Sequence, residues 1–405
     1  MNRDFRLLFT AAAVSRLGTS ITYVAMPLIA VTALRASPGE VGLLATLSTV
    51  AFLVIGLPAG AWTDRLRRRG VLITADLARA AVLLSVPVAG WLGALTMGQL
   101  YVVVLLTGIG TVFFDVANQS YLPQVVGRTA LLAANTRLVS MDAVNNIAGR
   151  GVAGFVVALV TAPAALLLDA ASYVVSAWCV WRIHHREPRP SRPEGRGLVR
   201  EGVVFVATHP VLRALAVAGA VSNLGIVLVL TMLPVVLVDE LGLGAGVLGL
   251  FLASGGVGML VGSLLARGLA ARFGAGRVVL LANVVVAPFG FGMSFVGHGP
   301  ALWLAGVTWL AVTTKVGVDN VLSVSFRQQV TPDALLGRVM ATFRFLLTGA
   351  LAVAAGLAGV LGEWWGPRSA LVAGGCALAC VWLPALLSPL RHMRELAPVP
   401  QKATS

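Results

Sequence analysis

Eight charged side chains stand inside long apolar runs of the sequence: Arg16, Asp115, Asp142, Arg150, Asp169, Lys315, Asp319 and Arg344. A charge at mid-helix in hydrocarbon costs at least ~2.5 to 3.5 kcal/mol, so each must face the protein interior or a wet cavity. A carboxylate in such a place has its ionisation set by desolvation and by any basic neighbour, which suits it to taking up a proton in one conformation and releasing it in another. Asp115, Asp142 and Asp319 are the candidates for that chemistry. No base lies three or four positions from Asp115, whereas Lys315 precedes Asp319 by one helical turn and can pair with it. For each acid the alternative is an ion pair that only staples helices together. Arg16 stands near the middle of its run and should meet an acid of another helix, Asp115 or Asp142. Asp169 lies near the end of its run and reads as a helix-start residue facing outside water.

The elements that carry these groups are membrane spans. The 405 residues are 58% hydrophobic and only 11% charged, against about a quarter charged in soluble domains. The apolar runs are continuous rather than alternating, which excludes a β-barrel. Spans are expected near Phe5 to Leu34, Val41 to Trp62, Val71 to Thr96 (with Asp76 and Arg79 close to its start), Gln99 to Leu122 (closed by Pro123), Ala130 to Val160 and Ala164 to Trp181. After the polar, Arg- and Pro-rich stretch from Arg182 to Arg200, six more follow: Val211 to Val238, Val247 to Leu269, Val278 to Val296, Ala301 to Phe326, Val339 to Leu361 and Ser369 to Leu390. The net charge of +14 is organised by topology rather than by nucleic acid, because only Arg35 and Arg368 of the 30 Lys and Arg fall in outside loops. Both termini are therefore expected in the cytoplasm. Three cysteines inside spans and five scattered histidines make no metal-ligand set, and no cofactor is expected.

An internal duplication divides the chain. Ser15, Leu17 and Gly18 match Ser222, Leu224 and Gly225, with Arg16 opposite Asn223, at an offset of 207. Gly60 and Arg65 match Gly262 and Arg267 at 202, and Asp115 and Gln124 match Asp319 and Gln328 at 204. The expected architecture is an all-α polytopic membrane protein with twelve transmembrane helices in two pseudo-symmetric six-helix bundles. Residues 1–182 and 209–390 are the halves, 183–208 the cytoplasmic linker and 391–405 the cytoplasmic tail.

The loop Gly60-Ala-Trp-Thr-Asp64-Arg65-Leu-Arg67-Arg68-Arg69-Gly70 resembles the loop signature of the major facilitator superfamily, Gly-x-x-x-Asp-Arg-x-x-Arg-Arg. The stretches at Ser15–Gly18, Ala75–Ala80, Phe114–Val126 and Asp319–Arg344 resemble the macrolide-efflux branch of its drug antiporters over nearly the whole chain. That resemblance implies the major facilitator fold, a cavity lined by spans one, four, seven and ten, and rocking between inward-open and outward-open states. It also implies a gating loop of Gly60, Asp64, Arg65 and Arg69, with Asp64 set against the start of span eleven. The arginines alone would equally serve to fix topology. Asn145-Asn146-Ile-Ala-Gly149-Arg150-Gly151-Val-Ala-Gly154 is similar to the antiporter signature of span five, but Arg150 and Ala153 replace its proline and a glycine. Cavity candidates are Arg16, Tyr23, Met26, Phe114, Asn145, Asn146, Arg150, Asn223, Met232, Lys315 and Arg344. The apolar ones among them could form an adaptable wall for large ligands.

The function expected from these features is proton-coupled export of amphipathic small molecules, drug-, macrolide- or siderophore-like, by alternating access. The alternatives are uptake of a metabolite by symport and, from another class, a membrane-embedded lipid-modifying enzyme, which the lack of clustered His, Ser or Cys disfavours. The partners are then a small-molecule substrate, protons and the lipid bilayer, with no nucleic acid. A monomer in the bacterial cytoplasmic (inner) membrane is expected.

Overall fold

A computed structural model describes residues 3–63, 66–145, 149–184 and 199–388. Fourteen α-helices follow in order among them. The first six are α1 (Arg3–Thr32), α2 (Pro38–Thr63), α3 (Arg68–Trp91), α4 (Met97–Val144), α5 (Arg150–Val160) and α6 (Ala162–Trp181). The remainder are α7 (Val199–Thr208), α8 (Pro210–Pro234), α9 (Ala245–Phe273), α10 (Ala275–Gly290), α11 (Pro300–Val330), α12 (Asp333–Trp365), α13 (Pro367–Ala379) and α14 (Trp382–Leu386). A π-helical turn, Val235–Glu240, prolongs α8, and a 3₁₀ turn, Phe291–Phe295, prolongs α10.

Among the described residues, eleven helices are long and apolar enough to cross a membrane, and Gly151–Val160 is a shorter apolar one. Their outward side chains include Leu159, Trp303 and Trp364, all widely exposed, as expected where lipid rather than water covers the surface. Local chemistry starts the spans where the sequence places its turns. At α2 the Ser37 hydroxyl accepts from the Glu40 amide at 3.3 Å, while the Glu40 carboxylate accepts from the Ser37 amide at 2.9 Å, with Pro38 between them. That reciprocal box satisfies two donors that a helix start leaves open.

Of the boundaries that differ from the sequence reading, two bear on the packing. Pro123 does not end its helix: α4 continues to Val144 and breaks instead at Gly127, where φ is 74° and ψ 164°. Proline forbids only its own amide bond, and neighbouring helices hold the rest of the turn. The second difference is α7, an amphipathic helix that begins inside the stretch read as plain linker. Its Glu201 pairs with Arg338 of α12, and a Cβ at Gly202 would stand 2.7 Å from the Arg338 carbonyl oxygen, so the two backbones lie close.

The chain packs as two compact units: residues 1–194 with 233–253, and residues 195–232 with 254–405. In the first, Phe5 and Leu8 of α1, Leu72 of α3, Phe114 and Tyr121 of α4 and Val180 of α6 form one buried core. The second is built on Leu212 of α8, Val279 of α10, Phe326 of α11 and Phe343 of α12, with Val206 of α7 joining them.

Candidate functional site

Along α1, Ser15, Arg16, Thr19 and Thr22 each meet a different polar partner, Arg79, Asp115, Tyr173 and Asp169. Arg16 Nη2 lies 3.6 Å from Oδ1 of Asp115 on α4, one of the two acids expected for this arginine. The pair is part-open, with side-chain exposures of 42% and 20%. Ser15 Oγ accepts at 3.5 Å from Nη2 of Arg79 on α3. Arg79 is itself buried: it forms an ion pair with Asp76 one turn earlier and donates to Thr111 Oγ1 of α4 at 3.3 Å. Its guanidinium sits 4.8 Å from the ring centre of Phe114 and 4.2 Å from that of Tyr173. In a dry site, such cation–π contacts are worth about 2 kcal/mol each.

Asp169 of α6 completes the layer. The outside-water reading is overturned, because its side chain has 0% exposure. Its Oδ1 accepts from Ser172 Oγ at 3.0 Å and its Oδ2 from the Thr22 hydroxyl. The end of an apolar run is thus not the end of the packed region here, since α1 crosses in front of it. Gly18 makes that crossing feasible: a Cβ there would stand 2.2 Å from Asp169 Oδ1 and 2.0 Å from Ser172 Oγ.

In the second unit the equivalent positions are filled differently. Lys315 Nζ pairs with Asp319 Oδ2 at 2.9 Å, as their spacing suggests, and donates to Ser222 Oγ at 3.3 Å. Ser222 is the repeat of Ser15, and Lys315 the repeat of Thr111. Each unit therefore presents one buried cation to the same serine, from α3 in the first and from α11 in the second. Asn223, which repeats Arg16, donates to the Leu347 carbonyl at 3.3 Å and brings no charge.

Asn145 donates to Arg16 O at 3.3 Å and to Ser20 Oγ at 3.2 Å, tying the end of α4 to α1. Phe114 is buried beneath Arg79, Met26 and Met232 are buried, and Tyr23 and Arg344 are exposed. Gly60 lies on α2. Arg69 donates to the carbonyl oxygens of Val180, at 3.3 Å, and Trp181, closing the C-terminal turn of α6 with a cation. Asp64, Arg65 and Asn146 fall outside the described residues, as do the side chains of Asp142 and Arg150. Asp76 and Arg79 are what the charge survey missed: both were placed at a span start, yet their side chains are only 0% and 2% exposed. An acid and a base three residues apart inside an apolar run was the available signal.

The family described as transmembrane secretion effector, within the major facilitator superfamily, matches residues 1–404. The chain belongs to this family. It is a multi-pass membrane transporter acting on small molecules, not an enzyme, with the all-helical major facilitator fold. It is 27% identical over 419 residues to the multidrug efflux pump Tap of Mycolicibacterium fortuitum, covering 97% of this chain and 98% of that one. It is 25% identical over 403 residues to the enterobactin exporter EntS of Escherichia coli strain K12, covering 97% and 94%. Among solved structures, a bacterial homologue of the iron transporter ferroportin in its inward-facing state superposes with a TM-score of 0.76 at 16% identity, over 95% of this chain and 98% of that one.

Proposed function

We propose that this transporter exports amphipathic small molecules, drug-like or siderophore-like, by alternating access in exchange for protons. Relatives that pump drugs and a siderophore support the cargo class. The observation that carries the coupling is the Arg16–Asp115 pair. It joins two different helices and is open enough for water to reach its carboxylate. A rearrangement that parts α1 from α4 removes the cation and favours protonation of Asp115; closing restores the cation and expels the proton. Asp319 carries its cation on its own helix, so the same movement does not separate that pair, and it serves as a fixed charge. Asp142 remains a further acid of the same pathway.

The remaining parts of the reading follow the charge distribution and the duplication. The halves are residues 1–182 and 209–390, joined by 183–208 and followed by the tail 391–405. Both termini face the cytoplasm, the protein sits in the inner membrane as a monomer, and antibiotic resistance is the phenotype its overproduction confers. The Asp64–Arg69 loop closes the cytoplasmic face, and Tyr23, Met26, Phe114, Asn145, Asn146, Arg150, Asn223, Met232 and Arg344 line or border the path.

The test is reconstitution into liposomes with an imposed pH gradient, adding enterobactin and then a panel of amphipathic dyes. Substrate-dependent collapse of the gradient in the wild type, abolished in Asp115→Asn with binding retained, is the expected result. Transport with no accompanying proton movement overturns the coupling.

A further inference from the structure

Among the described residues, the buried layer around Arg79 contains one more carboxyl than it has cations. Arg79 forms an ion pair with Asp76. Asp169 lies within electrostatic reach of that same guanidinium and of the Tyr173 hydroxyl. Yet among the described residues no cation stands at ion-pair distance from Asp169, and its two oxygens are held by the hydroxyls of Ser172 and Thr22. Among the described residues, Arg16 of α1 and Asp115 of α4 also bring charge to these helices, and they stand 3.6 Å apart. Fully ionised, the layer would bury an uncompensated negative charge, and such a charge is strongly unfavourable in a dry interior.

The repeat indicates whether packing alone needs this acid. In the second unit the corresponding helices, α8 and α13, approach through Gly225 and Gly374, and a Cβ on either would stand within 3 Å of the other's carbonyl oxygen. No carboxyl takes part in that approach. Where Arg79 stands on α3, the equivalent stretch of α10 offers Asn283, which donates to its own helix at Val279 O, 2.6 Å away. The fold thus joins these helix pairs without an acid, and the first unit carries one in addition.

We propose that Asp169 is a proton-binding residue of the transport cycle, with Asp76–Arg79 as the fixed ion pair beside it. This rests on the reading of the chain as an alternating-access, proton-exchanging transporter, and adds a second site to Asp115. In the closed arrangement a proton is bonded to one Asp169 oxygen and donated to the Thr22 or Ser172 hydroxyl, which turns from donor to acceptor in that contact, leaving the layer neutral. When α1 withdraws from α6, water reaches the group. The O–H bond breaks, the proton passes to water as hydronium, and the carboxylate remains with the Ser172 hydroxyl of its own helix. The reverse step takes the proton from hydronium and leaves water.

Infrared difference spectra of the purified protein in lipid nanodiscs, recorded across a pH jump without substrate, test the assignment. A carbonyl band of a protonated carboxyl that is retained in Asp115→Asn should appear in wild type and vanish in Asp169→Asn; it should also fade in Asp76→Asn, where Asp169 becomes the counter-ion of Arg79. Asn keeps the shape and hydrogen bonds of the acid, and should fold. Thr22→Val should leave the band present but shift its frequency, because it deletes a hydrogen bond to that carboxyl and not the acid itself. In liposomes, Asp169→Asn should lose accumulation against a pH gradient. Absence of the band in wild type, its persistence in Asp169→Asn, an unshifted band in Thr22→Val, or normal gradient-driven pumping by Asp169→Asn each overturns the proposal. A failed export reading would show separately, as a band that titrates normally in a protein whose wild type moves no protons with substrate.

Discussion

Arg79 is the residue on which the first unit's polar interior depends. It touches α1 through Ser15, α4 through Thr111 and Phe114, and α6 through Tyr173, while its charge is balanced on its own helix by Asp76. Removing the guanidinium leaves two buried acids with no nearby cation, and breaking a buried pair in this way costs about 3 to 5 kcal/mol. Arg79→Gln should therefore lower stability by that amount in reversible unfolding from mixed micelles, with Asp76→Asn/Arg79→Gln regaining part of it. A double variant no more stable than the single one would contradict the pairing. At the same scale, Asp115→Asn is expected to leave Arg16 with neighbouring hydrogen-bond partners and water, because the pair is part-open. Its stability should change by less than about 1 kcal/mol while proton-driven export is lost. A large stability loss with transport intact would make this pair a staple.

At the level of helices, the most informative contact is between α5 and the first turns of α9. A Cβ at Gly154 would stand 2.3 Å from the Cα of Gly249, and one at Gly151 2.6 Å from the Cβ of Ala253. Backbones this close are how helices associate in lipid, where packing rather than water exclusion supplies the attraction. A Cβ at Gly246 would lie 3.9 Å from that of Ala158, inside the span a disulfide bridges. Ala158→Cys with Gly246→Cys, in a background lacking Cys179, Cys376 and Cys380, should cross-link under mild oxidation and arrest transport until reduced. Adding Gly154→Val should reduce the cross-linking yield several-fold, since the side chain has no room at that contact. Cross-linked protein that transports at the normal rate would show that α5 and α9 need not part during the cycle.

For the molecule as a whole, the arginine distribution predicts which side of the membrane each loop occupies. Cysteines placed at Ser37 and Gly366 should react with an impermeant thiol reagent added outside intact cells, and cysteines at Arg68 and Arg192 only after permeabilisation. External labelling at Arg192 would refute the twelve-span topology.

The sequence determined the class of the protein because a bilayer is a severe solvent. Every span had to satisfy its backbone internally, so length and hydropathy located the helices, and the duplicated SRLG and SNLG stretches located the two matching first helices. It also located Lys315–Asp319, since that pair depends on spacing along one helix, and it supplied both candidate acids for Arg16. Tertiary structure alone placed Asp115 beside Arg16, because partners on different helices are set by crossing geometry that no one-dimensional pattern encodes. For the same reason Asp169 was misplaced at a wet surface and Asp76 and Arg79 at a span edge. Depth along a helix can be counted in residues, but burial depends on which neighbour crosses there, and α1 crosses α6 where glycine at position 18 leaves room for the Asp169 carboxyl.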